Sequence, residues 1–179
     1  MKRFSFTAFA MLLVLAACNP KPTLQKYFVE KSEDHNFVSV DVSPSLLNLN
    51  EKNMTADQKE SLKAFDKMNV LAFRLNDQNK QHFEAERAKV NAILKDGKYQ
   101  QLMKFGRGKE GGSVSFVGDE NHIEEVVVYA NKNDAGFAVV RILGDNMNPT
   151  DVMNMITALR SSDLNLSQLK PLQEMMSQK

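Results

Sequence analysis

Phe37-Val38-Ser39-Val40-Asp41-Val42 alternates, with Val38, Val40 and Val42 on one side. A period of two predicts a half-buried strand. Downstream the period lengthens: Thr55-Ala56-Asp57-Gln58 has capping-box spacing, and Leu62, Phe65 and Met68 follow at helical intervals. That pattern predicts an amphipathic helix over 55–68. Val70 to Leu75 is a compact apolar run suited to a strand. Asn76 is then placed to cap the longest helix, 77–96, in which Phe83, Val90, Ile93 and Leu94 form the apolar stripe and Gly97 the stop. Tyr99 to Met103 reads as a short turn or helix, and Gly106 to Gly112 as a loop. From Ser113 to Gly144 β-branched residues dominate between turn residues, which predicts a three-strand meander over 113–117, 122–131 and 137–143. Both faces are apolar in Val126 to Tyr129 and Phe137 to Leu143, as in central strands. Asn148-Pro149-Thr150-Asp151 starts a last helix, 148–160, with Val152, Met153, Ile156 and Leu159 towards the core. The expected fold class is α+β: an antiparallel sheet including the meander, packed against about three helices.

The N-terminus follows a different logic. Met1-Lys2-Arg3 is a basic start, and Phe4 to Leu15 is an uncharged, largely apolar stretch too short to cross a bilayer, where about 20 apolar residues are needed. It ends in Leu15-Ala16-Ala17-Cys18, which resembles the bacterial lipobox. The resemblance implies cleavage after Ala17 and lipid attachment to the Cys18 sulfur, with residues 1–17 as a lipoprotein signal peptide. Residues 18–24, with Pro20 and Pro22, then form a lipidated cysteine and stiff spacer. Residues 25–160 are expected as a single domain and 161–179 as a C-terminal arm, with leucines at 164, 166, 169 and 172 interrupted by Pro171. Ser43-Pro44 is expected to open a short turn through Leu49.

Composition narrows the function classes. Of 179 residues, 42% are hydrophobic, and 23 Lys and Arg face 22 Asp and Glu, a balance that excludes nucleic-acid binding by bulk charge. Losing Lys2 and Arg3 with the leader turns the side-chain charge from +1 to −1. The single cysteine excludes a disulfide framework and a cysteine-ligated zinc. Candidate chemistry is incomplete at each place it arises. Gly106 to Ser113 has the glycine spacing of a phosphate-binding loop, but Gly112 stands where the lysine must be, and the segment leads into a strand. His122 and Glu124 would share one strand face as half a metal site, and His82 and Glu86 are one helical turn apart, a pair that exposed helix faces produce routinely. Asn131 to Gly136 has the oxygen-rich look of a calcium loop, but Ala135 and Ile142 occupy positions that must carry ligands. No cofactor, metal or catalytic residue is assigned.

Tyr99-x-x-Leu102-Met103, Val114-x-Phe116, Ile123-x-Glu125-Val126-Val127-Val128, Phe137-Ala138-Val139-Val140-Arg141-Ile142-x-Gly144-Asp145 and Pro149-Thr150-Asp151-Val152 together resemble an uncharacterised, domain-of-unknown-function family of small lipoproteins of Gram-negative bacteria. The resemblance supplies no catalytic residues to carry over and implies an envelope-signalling setting. The expectation is a lipid-anchored cell-envelope protein acting as a non-catalytic interaction or regulatory module. It would sit at the outer membrane facing the periplasm, held by lipid on Cys18, with an envelope protein as partner and no nucleic acid. The alternative is an envelope hydrolase using carboxylates such as Glu124 or Asp145, brought together by the fold.

Overall fold

A computed structural model describes residues 21–43, 54–107, 110–119 and 121–161. Thr23 caps a helix that the sequence pattern did not announce, α1 (Leu24–Lys31), by accepting from the Lys26 backbone N–H at 3.3 Å. The alternating segment is strand β1 (Phe37–Val42), as expected. The Thr55–Gln58 capping box forms in both directions, with Gln58 N–H donating to the Thr55 hydroxyl at 3.2 Å and Thr55 N–H to the Gln58 side chain at 3.0 Å. The helix it opens, α2 (Ala56–Lys63), is shorter than the 55–68 expected. Phe65 and Met68 belong instead to strand β2 (Phe65–Arg74), where they lie on one sheet face. An i, i+3 spacing in a helix and an apolar strand face broken by a bulge at Asp66 look alike in sequence.

The long helix is α3 (Lys80–Leu94). Its N-cap is Asn79, not Asn76. Asn76 instead folds the preceding turn, its side-chain oxygen accepting from Gln78 N–H at 2.9 Å and Asn79 N–H at 3.1 Å. The segment from Tyr99 to Met103, read as a turn or helix, lies largely in strand β3 (Gln100–Arg107). Every β3 residue is exposed, so no burial alternation marks it. The expected seven-residue glycine loop contracts accordingly: β4 (Glu110–Asp119) starts three residues after Arg107, and Gly106 and Gly111 pair within the hairpin at φ of +98° and +140°. With β5 (His122–Lys132) and β6 (Gly136–Met147), the expected three-strand meander is a four-strand one. Helix α4 (Pro149–Ser161) closes the described chain. Val152 is buried as expected, but Met153 is exposed and faces away from the core.

The six strands form one antiparallel sheet in the order β1-β2-β6-β5-β4-β3. This is an α+β fold. Helices α1 and α3 cover one face over Leu71, Phe73, Val127, Tyr129, Phe137 and Val139. On the other face Phe65, Met68, Phe116, Val126 and Ile142 pack with Leu62 of α2 and Val152 of α4. Valines and phenylalanines thus sit on both faces of the central strands, which explains their unbroken apolar runs. The leader, Cys18, the expected turn from Pro44 to Leu49, the packing of Ile156 and Leu159, and the arm beyond Ser161 lie outside the described residues.

Candidate functional site

Glu86 is the least expected side chain in the molecule. It sits on α3 with 2% of its surface exposed, because α1, absent from the sequence-based reading, lies across it. Lys31 at the end of α1, itself buried, brings its Nζ to 3.2 Å from Glu86 Oε1, and Lys89 reaches the same oxygen at 2.8 Å. His82 Nε2 stands 3.3 Å from Glu86 Oε1 and 3.9 Å from Asp34 Oδ2. Burial pulls the Glu86 carboxyl upward, but the Lys89 and Lys31 ammonium groups on its Oε1 outweigh it, so the group is held below the ordinary glutamate range. For Asp34 the desolvation is likewise outweighed, by the Asn36 backbone and side-chain donors and by His82 and Lys31. Burial lowers Lys31, and its bonds to Glu30 and Glu86 more than restore it. The Tyr27 hydroxyl is pushed far up by burial and by the Glu86 charge.

Beyond His82 the network opens into a shallow cleft lined by Asp34, His35, Asn36, Asn76, Gln78, Asn79 and His82. Its asparagine side chains are committed to the fold. Asn79 Nδ2 donates to Asn36 Oδ1 at 3.0 Å and to the Arg74 carbonyl at 2.9 Å, and Asn36 Nδ2 donates to Asp34 Oδ1 at 2.9 Å. Among the described residues the lining carries no hydroxyl or thiol to act as a nucleophile. The carboxylate that could orient His82 is already compensated by two lysines. Chemically the arrangement is a clamp of charges joining α1 to α3, with an imidazole at its open edge.

A second buried pair lies under α1. Arg141 Nε donates to Glu125 Oε1 at 2.7 Å, both residues nearly fully buried, while Arg141 Nη1 donates to the Gln25 side chain and the guanidinium stacks 5.4 Å from the Phe28 ring centroid. Between α2 and α4, the Ser61 hydroxyl lies 2.8 Å from Asp151 Oδ1 and accepts from Asn154 Nδ2 at 3.2 Å, which ties two helices rather than activating an oxygen.

The carboxylates singled out for the hydrolase alternative do not build a comparable site. Glu124 and Asp145 are both exposed, and His122 stands exposed at the first residue of β5. The calcium-like segment is a tight hairpin, Ala135 N–H donating to the Lys132 carbonyl at 3.3 Å. Among the described residues no group of three or more His, Cys, Asp or Glu side chains could hold a metal. No helix among them is long and apolar enough to cross a membrane.

The family model described as Domain of unknown function (DUF4252) matches residues 27–155, from the middle of α1 into α4, and therefore spans all six strands and both buried ion pairs. The chain belongs to the DUF4252 family. No curated protein matches it. What the DUF4252 match covers is the folded body; Cys18 and the arm beyond α4 lie outside it.

Proposed function

We propose that this DUF4252 protein is a lipid-anchored component of the bacterial cell envelope, acylated on Cys18 and acting as a non-catalytic interaction or regulatory module. The observation that carries the reading is Leu15-Ala16-Ala17-Cys18 at the end of a basic and then apolar leader, and the short distance from it to the body gives the anchor its consequence. Leu24, expected as the last spacer residue, is the first residue of α1 and is fully buried. Only residues 19–23 separate it from Cys18, so six residue steps of about 3.4 Å each limit the tether to roughly 20 Å. A domain held that close to a bilayer gains effective concentration towards envelope partners without any new contact. Asn19 after the cysteine, where some inner-membrane lipoproteins carry Asp, supports an outer-membrane, periplasm-facing address.

The test is detergent partitioning of the native protein beside its Cys18→Ser variant. The wild type is expected in the detergent phase, and the variant, expressed from residue 18 without the apolar leader, in the aqueous phase. Equal partitioning of the two would remove the reading. The hydrolase reading draws on a single observation, the His82 imidazole between Asp34 and Glu86 at an open cleft. A loss of envelope phenotype in His82→Gln with unchanged stability and lipidation would favour it.

A further inference from the structure

We propose that the β3 edge of the sheet is a membrane-docking surface that lies against anionic phospholipid headgroups. The inference rests on the lipid-anchor reading for its orientation and extends it by naming the surface that meets the bilayer.

The position of the tether fixes one end of the molecule. Lys21 Nζ is 3.6 Å from Asp96 Oδ2, and Leu24 shares a core cluster with Tyr99, so the chain enters the fold beside the end of α3 and the start of β3. Helix α1 runs from that corner back along α3, because its last residue, Lys31, meets Glu86 in the first half of α3. The His82 cleft is therefore at the opposite end, about 20 Å away along a helix that rises 1.5 Å per residue. The tether is of similar length, so the corner carrying β3 faces the bilayer and the cleft faces away.

That corner has the chemistry of a lipid contact. Three of the five large apolar side chains exposed among the described residues are Leu102, Met103 and Phe105, all on β3 and 43%, 50% and 46% exposed. Met103 pairs with Val114 and Phe105 with Gly112, over which the Phe105 ring lies, so both extend a row of apolar positions to the rim of the sheet. Leu102 falls at the bulge between Gln101 and Met103. Basic side chains lie on the same strand and beside the chain's entry: Lys104 and Arg107 on β3 itself, Lys98 just before it, and Lys21, Lys26 and Lys95 near the tether and the end of α3. Against these stand Asp96, which is paired to Lys21, Glu110 and Asp119. Exposed apolar side chains amid lysines are what an anionic interface takes up: the apolar groups enter the headgroup boundary and the cations meet its surface potential. A bare edge strand also invites pairing with a second copy, but charged residues such as Lys104 and Arg107 along an edge are the usual means of discouraging it.

The chain contains no tryptophan, so one introduced indole reports its own surroundings. The probe is the mature chain from residue 18 with Cys18→Ser, which keeps every described residue and removes the acyl anchor. Leu102→Trp and Met103→Trp are mixed with vesicles of phosphatidylethanolamine and phosphatidylglycerol. Their emission is expected to shift to the blue and to be quenched by brominated acyl chains, while Gln78→Trp, exposed at the cleft on the far end of α3, stays unquenched. Reversing Lys104 and Arg107 to glutamate in the same backgrounds is expected to lower vesicle partitioning at least about tenfold at low salt. Equal quenching at all three positions, or none at Leu102 and Met103, would overturn the proposal. A blue shift that grows with protein concentration in the absence of vesicles would overturn it in favour of self-pairing through β3. Since the probe is unlipidated, failure of Cys18 acylation is read separately, by the mass of the native N-terminal peptide.

Discussion

At the scale of single residues, the buried charges decide most. Removing Glu86 leaves Lys31 with 8% of its surface exposed and deprived of one of its carboxylates, so Glu86→Ala is expected to cost about 3 kcal/mol. The measurement is urea denaturation at neutral pH, and a cost under about 1 kcal/mol would show that the pair is worth no more than a surface bridge. The same cluster sets a pH dependence. Glu86 and Asp34 are held below their ordinary values in the fold, so their stabilisation is complete above the ordinary carboxylate range and drains away as pH falls through the lowered folded values. Lys31 is raised, so its share is complete below the ordinary lysine value and is lost only as pH climbs through the higher folded one. Glu86→Gln is therefore expected to flatten the acid side of the urea-denaturation stability profile, costing most on the neutral plateau and least at acid pH, where Glu86 is itself protonated. None of this was legible in the sequence. His82 and Glu86 are one turn apart on a charged helix, and only α1 crossing over them makes the difference between a solvated pair and a buried clamp.

Elements were legible where one period ran long enough, and obscure where neighbours decide. The alternation of Phe37 to Val42 and the doubly apolar runs of β5 and β6 announced strands because each faces a core on one or both sides. Strand β3 gave no such signal, since an edge strand exposed on both faces has no apolar period. Helix α1 is only eight residues long and owes its place to Tyr27 and Phe28 packing on the sheet, which local propensity does not encode. Thr55→Ala removes the reciprocal cap of α2 and is expected to lower stability by about 1 kcal/mol in denaturant titration. Gly136 ends the β5–β6 turn at φ +126°, and a Cβ there would stand 1.9 Å from the Phe73 carbonyl oxygen. Gly136→Ala should then cost more than the roughly 1 kcal/mol of an ordinary glycine replacement, since backbone must move. An unchanged midpoint would mean the hairpin can re-form with a different turn.

At the scale of the whole molecule, the two ends of the α1–α3 layer have different characters. One carries the chain's entry point, six basic side chains and the exposed apolar rim of β3; the other carries the polar cleft around His82. A tether of roughly 20 Å gives that polarity a direction, because it is no longer than the helix separating the two ends. The fold itself should be indifferent to the anchor: Leu24 closes the core on the protein side of the spacer, so Cys18→Ser is expected to leave the thermal midpoint of the mature chain unchanged while abolishing its effect in cells. Everything directional in this account depends on one covalent bond. The most direct measurement is the mass of the N-terminal peptide of the protein purified from its native membranes. A peptide that begins at Cys18 and carries acyl mass is the predicted result, and one that begins elsewhere or bears a free thiol would contradict the account.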